Sequence, residues 1–226
     1  MGLKPSSGNM YTWVSHQWNP IKGKCLHDCS FCYVERWGEL PPVHFAEKEL
    51  KEFDRDCKKF GPGLFIFVGS SCDMFADDIP KQWIYDALNK CNEYKNKYLF
   101  QSKNPDRIGR FIDCLTVPFV VCTTLETNRW YPDIMRNAPK IEDRVSGMES
   151  LKVKKYVTIE PIMDFDLESF VELVKRCEPE KVNIGADSGN NGLPEPSMDK
   201  VSALIDELKK FTTIAQKRNL NRLFKE

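Results

Sequence analysis

Short runs of apolar, β-branched and aromatic residues alternate along this chain with longer stretches whose apolar positions recur every three to four residues. The runs are Tyr11 to Val14, Leu64 to Val68, Tyr98 to Gln101, Phe119 to Thr123, Tyr156 to Glu160 and Lys181 to Gly185. The last five are mostly apolar, the pattern of strands buried on both faces of a parallel sheet. Between them, Leu50, Phe53, Cys57 and Phe60 share a helical face, as do Trp83, Ile84, Ala87, Leu88 and Cys91. Ile108 to Leu115, Leu167 to Val174 and Val201 to Phe211 repeat the same spacing. Asn104 before Pro105 predicts a helix start, and Ser197 predicts another. Pro132, Pro139 and Gly147 interrupt the stretch from Trp130 to Val153, which predicts an irregular segment and then a short helix near Glu142 to Leu151.

Strands alternating with helices predict a parallel sheet with right-handed crossovers. An open doubly wound sheet and a barrel-like (β/α)6 sheet both fit the pattern. In either, functional residues collect at the C-terminal ends of the strands. Small and polar residues do lie there: Gly69 to Asp73, Ser102 to Asn104, Thr123 to Glu126, Glu160-Pro161 and Ala186 to Gly189. One shared pocket would explain them all.

Composition narrows the class. The 226 residues are 41% hydrophobic, enough for a sizeable core. Lys+Arg and Asp+Glu both number 33, so the balance of charge does not call for a polyanionic partner. The C-terminal run with Lys217, Arg218, Arg222 and Lys225 reads as a solvated helix end. No apolar run nears the ~20 residues that cross a bilayer, and the N-terminal stretch lacks the charged-then-apolar order of a secretory signal. Nine cysteines without such a signal predict a cytoplasmic protein with reduced thiols and no membrane partner.

The chemistry concentrates in KCLHDCSFCY, where Cys25, Cys29 and Cys32 stand as C-x3-C-x2-C. Three thiolates can hold an iron–sulfur cube and leave one iron open for a ligand. With His16, His44 or Cys57 as a fourth ligand they could equally hold structural zinc. His27, inside the loop, reads as a surface histidine. The other cysteines are too scattered for a second cluster.

The cysteine motif, with Phe31 before its last cysteine, resembles that of the radical S-adenosylmethionine superfamily. The stretches WNPIKGKC, FVGSSCDMF, FQSKNPDRI, TIEPIMDF and NIGADSG extend the likeness over about residues 11–215. They resemble a phage- and bacteria-associated family of small radical S-adenosylmethionine proteins of unassigned function and, more distantly, proteins related to spore photoproduct lyase. The resemblance implies an α/β partial TIM-type (β/α)6 barrel of parallel strands, one core domain over 1–226 ending in a C-terminal helix and basic tail.

It also implies a [4Fe-4S] cluster on Cys25, Cys29 and Cys32, whose electron cleaves S-adenosylmethionine to a 5′-deoxyadenosyl radical that takes hydrogen from a substrate. Phe31 would pack near the adenine, and the backbone of Gly69, Ser70 and Ser71 would bind the methionine ammonium. The family's acidic residue is missing there, with Asp73 as its substitute. Lys103 would meet the methionine carboxylate; Thr123 and Glu126 would meet the ribose hydroxyls. Each has a plainer reading: Lys103 as a solvated residue, Glu126 paired with Arg129, Glu160 facing solvent, Asp187 as a turn residue. Cys72, Glu160 and Asp187 are candidate catalytic groups, Cys72 as a hydrogen donor or simply a small buried thiol. The implied partners are an external flavodoxin- or ferredoxin-type electron donor, a nucleic acid base or nucleotide as substrate, and a partner protein completing the substrate site. A metal-stabilised binding module without catalysis is the competing class.

Overall fold

The computed structural model describes residues 2–8 and 10–224. In chain order its strands are β1 (Lys4–Pro5), β2 (His16–Trp18), β3 (Ile21–Lys22), β4 (His44–Phe45), β5 (Phe65–Val68), β6 (Lys97–Gln101), β7 (Phe119–Thr124), β8 (Lys155–Ile159), β9 (Lys181–Ile184) and β10 (Thr213–Gln216). The α-helices are α1 (Glu47–Phe60), α2 (Lys81–Asn92), α3 (Pro105–Gly109), α4 (Pro132–Met135), α5 (Ile141–Ser150), α6 (Leu167–Arg176) and α7 (Met198–Leu208). Eight strands form one sheet in the order β1-β2-β5-β6-β7-β8-β9-β10. All neighbours run parallel except the antiparallel edge pair of β1 and β2.

The order never reverses, so there is no switch point of the doubly wound kind. Burial says the same. Ile66, Phe100, Val121, Val157 and Val182 pack outward with the apolar stripes of the helices in one large core. Their alternating neighbours Phe67, Leu99, Val120, Cys122 and Tyr156 point to the other face, where no helix residue joins them. Helices on one side and a closed-in concave face on the other make this a partial barrel. The seam lies between β1 and β10, the two ends of the sheet.

The first predicted strand is displaced. Tyr11 to Val14 forms a turn, with Val14 N–H donating to the Tyr11 carbonyl, and the strand follows at β2. Aromatic and β-branched residues suit a strand, but here they fill the barrel floor. Trp13 stacks on Tyr11 at 4.7 Å and meets Tyr156 edge-on at 5.1 Å. This plug packs against Phe65, Phe67 and Tyr156 on the concave face.

The last turn of chain also differs from expectation. After α7 the chain makes a seventh parallel strand, β10, and a 3-10 turn over Arg218–Phe224 instead of a basic helical tail. Leu220 anchors that turn in the core, Arg222 pairs with Glu195, and Lys225 lies outside the described residues. The expected caps are present: the Asn104 and Ser197 side chains accept from the N–H groups of Arg107 and Lys200. The helical face read from Ile108 to Leu115 breaks after Gly109 into a 3-10 turn, Ile112–Cys114. Gly147 lies inside α5, where a Cβ would stand 2.6 Å from the Asp106 nitrogen of α3. Its lack of a side chain permits the close approach of the two helices. Among the described residues no helix is long and apolar enough to cross a membrane.

Candidate functional site

The cysteine loop springs from the ribbon of β3 and β4, which is antiparallel and closes its base. Lys24 N–H donates to the Pro41 carbonyl at 2.9 Å beside Gly23. Gly23 has φ +109, and a Cβ there would lie 2.5 Å from the Pro42 oxygen. The loop tip is held from the opposite side by α4 and the residues after it. Ser30 N–H donates to the Ile134 carbonyl, Asn137 N–H to the His27 carbonyl and the Arg136 guanidinium to Asp28. The segment least readable in the sequence is therefore what fixes the cysteines. Cys29 is buried, Cys25 and Cys32 are half-buried, and all three thiols are free.

The three cysteines line a cavity of about 570 Å³ at the C-terminal ends of the parallel strands, within the range of small-molecule sites. Phe31, the Gly69–Asp73 turn, Lys103 and Glu160 share its wall. Gly69, at φ +80, allows the chain to turn sharply off β5. The Asn19 carboxamide oxygen then receives the Ser71 N–H at 2.9 Å and, with Gln17, the Ser70 hydroxyl.

Asp73 is the hub of this wall. Its Oδ2 accepts from Ser102 Oγ at 2.9 Å and from the Lys103 N–H at 2.8 Å, and lies 2.9 Å from His27 Nε2. Burial would raise its pKa, but the His27 contact and these bonds hold it below the ordinary aspartate value. His27 is thus buried, not a surface histidine. Its pKa is raised because Asp73 outweighs the effect of burial.

Lys103 reaches back over the Phe31 ring, 4.5 Å from its centroid, to within 3.0 Å of Cys29 Sγ. Its Nζ also lies 2.8 Å from Glu126 Oε1, and Glu126 Oε2 takes a 2.7 Å bond from Arg144. Burial opposes the charge on Lys103, yet the negative charges of Cys29 and Glu126 raise its pKa overall. Burial likewise opposes the charge on Glu126, but Arg144 and Lys103 pull its pKa below the usual value. Glu126 pairs with Arg144 and Lys103, not Arg129, which instead pairs with Asp164 and Asp166.

Three predicted site residues stand off the cavity wall. Thr123 is fully buried and donates to the Ser102 carbonyl at 2.8 Å. Glu126 is fully buried behind Lys103. Asp187 Oδ1 accepts from Gly189 N–H and from the Asn191 side chain, which makes it a turn residue. Sequence reasoning missed Gln101, Thr124, Thr158 and Lys217, all on the wall. Strand parity points to Thr124, because it is two residues beyond the inward-facing Cys122. Cys72 is buried on the wall, and its interaction with Cys25 pulls the Cys25 thiol below the ordinary cysteine value and pushes the Cys72 thiol up.

The donor set suits an iron–sulfur group: three sulfur ligands on one loop, with a half-buried lysine beside Cys29 to balance thiolate charge. The three fourth ligands that the sequence offered for zinc have other contacts. His16 packs on Phe60, His44 contacts the Pro42 carbonyl, and Cys57 is a core thiol beside Asn96. Among the described residues no three His, Cys, Asp or Glu side chains converge as ligands of one metal ion.

Residues 9–197 match the model of a family described as "Protein of unknown function (DUF5131)". No curated protein matches the sequence. Among solved structures, a cysteine-to-serine mutant of spore photoproduct lyase is similar at TM-score 0.71 and 10% identity, over 94% of this chain and 79% of that one. A second spore photoproduct lyase structure, with bound AdoMet and dinucleoside spore photoproduct, has TM-score 0.63 and 12% identity, over 90% and 64%. Streptococcus suis SuiB bound to its precursor peptide SuiA has TM-score 0.62 and 13% identity, over 88% of this chain and 48% of that one.

Proposed function

The chain belongs to the DUF5131 family, and we propose that it is a radical S-adenosylmethionine enzyme acting on a nucleic acid base or nucleotide. The observation that carries the reading is the three-thiol loop on the wall of a cavity at the C-terminal strand ends, in a fold shared with radical S-adenosylmethionine enzymes. Cys25, Cys29 and Cys32 would hold the cluster, which when bound supplies the electron that cleaves S-adenosylmethionine and so starts hydrogen abstraction from the substrate.

The chain's own residues bind and position. The backbone of Gly69, Ser70 and Ser71, braced by Asn19 and Gln17, receives the methionine ammonium. Phe31 offers its ring to the adenine. Asp73 fixes the Ser102–Lys103 backbone, so that Lys103 is set between Cys29 and the incoming methionine carboxylate. Thr123 and Glu126 act one layer out, holding the Ser102 turn and the Lys103 ammonium in place, while Thr124 faces the cavity in their stead. The concave floor is sealed by the Tyr11–Trp13 plug, so water is excluded from below. The electron comes from a flavodoxin- or ferredoxin-type donor in the cytoplasm, and a partner protein completes the rim.

The test is anaerobic iron–sulfur reconstitution followed by reductant and S-adenosylmethionine, with 5′-deoxyadenosine as the readout. Product is expected from the wild type and none from Cys25→Ala, Cys29→Ala or Cys32→Ala. No product from a cluster-loaded wild type would leave the chain a binding module and refute the reading.

A further inference from the structure

The cavity wall carries an ion pair between the ends of two strands. Glu160, just past β8, pairs with Lys217, just past β10, both with side chains at least four-fifths buried (16% and 10% exposed). Three features hold the pair in place. Lys217 Nζ lies over the Tyr11 ring, 4.9 Å from its centroid. The Asn219 amide donates to Glu160 Oε1 at 3.1 Å and to the Ala186 carbonyl at 2.6 Å. Gly185 leaves room for the carboxylate, since a Cβ there would stand 2.6 Å from Glu160 Oε1. Lys217 exists at this position only because the chain adds a seventh parallel strand, far along the strand order from the loop that carries the cysteines.

A carboxylate beside an ammonium presents an acceptor next to a donor. It is also charge-balanced. An anionic group docking on Lys217 would have to displace Glu160 and leave a buried carboxylate without its cation, which is unfavourable. The nearby polar wall groups, Thr124, Thr158 and Gln101, are uncharged. At the rim of the same cavity Tyr33 and Trp37 meet edge-on at 5.7 Å, 41% and 64% exposed, as rings on which a planar group can stack.

We infer that Glu160 and Lys217 form the substrate-reading pair of this site, and that they read the uncharged donor–acceptor edge of a nucleobase, not a phosphate. This rests on the radical-enzyme reading for its place in a reaction, but base recognition itself is measured without turnover. A phosphate, where the substrate has one, stays outside the pair. That agrees with a chain whose Lys+Arg and Asp+Glu are equal in number and which has no excess of cations for a backbone footprint.

The experiment is calorimetric titration of the full, cluster-reconstituted chain, without reductant, with thymidine, cytidine, adenosine, guanosine, thymidine 5′-monophosphate and N-acetylglycinamide. At least one nucleoside should bind, thymidine and its monophosphate should agree within about threefold, and N-acetylglycinamide should not bind. Glu160→Gln and Lys217→Met should each weaken the bound nucleoside about tenfold or more, with Lys217→Arg recovering most of the loss. A merely structural pair would move the unfolding midpoint but leave the nucleoside Kd unchanged. That result, no nucleoside binding, a monophosphate preference that depends on Lys217, or N-acetylglycinamide binding lost in the same variants would each overturn the inference. Failure of 5′-deoxyadenosine formation would count against the radical reading and leave this titration standing.

Discussion

Replacing Arg144 by Met tests whether the site is held up by buried charge. Arg144 and Glu126 are both inaccessible to solvent, 2.7 Å apart, with Lys103 at 2.8 Å on the other carboxylate oxygen. Arg144 also bonds the Thr124 and Pro139 carbonyls, so it ties α5 to the end of β7. Met preserves most of the stem but removes every donor and leaves Glu126 with one cation. Breaking a buried pair this way costs about 3–5 kcal/mol. For a domain of this size that is about 6–20 °C of Tm, at about 2–4 °C per kcal/mol. The sign with pH follows from Glu126, whose pKa is held below its unfolded value. Its contribution is complete above the unfolded value of about 4.3 and is lost as pH falls through the folded value. The gap between wild type and variant should therefore be largest near pH 7 and narrow on acidification. Denaturant titrations followed by circular dichroism at a series of pH values measure both. A difference below about 1 kcal/mol at pH 7, or one that widens in acid, would refute the account.

Three further outcomes follow from single contacts. Asp73→Asn removes the charge that His27, Ser102 and Lys103 share; at about 1.5–3 kcal/mol for a hydrogen bond to a charged group, the denaturation midpoint should fall clearly, and an unchanged midpoint would show that the hub is dispensable. Gly147→Ala should lower stability by about 1–3 kcal/mol in thermal melts, because its new Cβ would meet the backbone of α3; a neutral result would mean that the two helices part freely. Trp37→Ala, an exposed site, should move Tm by little more than the equivalent of about 0.5 kcal/mol. It should nevertheless weaken nucleoside binding by the loss of about 1–3 kcal/mol of stacking, and an unchanged Kd would remove Trp37 from the rim's role.

The repeating layers of the fold were legible because period carries them. Leu64 to Val68, Phe119 to Thr123 and Lys181 to Gly185 read as buried strands and Leu167 to Val174 as an amphipathic helix, and each lies within a residue or two of the element that forms, since each pattern has one low-energy solution. The Tyr11 to Val14 run failed for the reason the others succeeded. Aromatic and β-branched residues mark burial between pleated surfaces, and the floor of a barrel buries them as well as a strand does. Thr213–Gln216 was hidden differently. Its four residues are all exposed or half-buried, so no apolar run announces the strand, and only the ladder to Lys181–Ile184 defines it.

For the site, local spacing identified the cysteine loop, while parity and long-range pairing decided the rest. Thr123 and Thr124 are indistinguishable by residue type, yet one donates behind the strand and the other faces the cavity. Glu126 lies three residues before an arginine in the sequence, but its partner is Arg144, eighteen residues away on the helix that packs over β7. Lys217 stood in a basic run that charge alone assigns to solvent. Its ring contact with Tyr11 and its pairing with Glu160 require three segments more than fifty residues apart to meet. Residues of this kind acquire a role only when the barrel assembles. The loop of three thiols, being local, is legible from spacing alone, whereas the groups that would choose the substrate are set by the ends of strands distant in sequence.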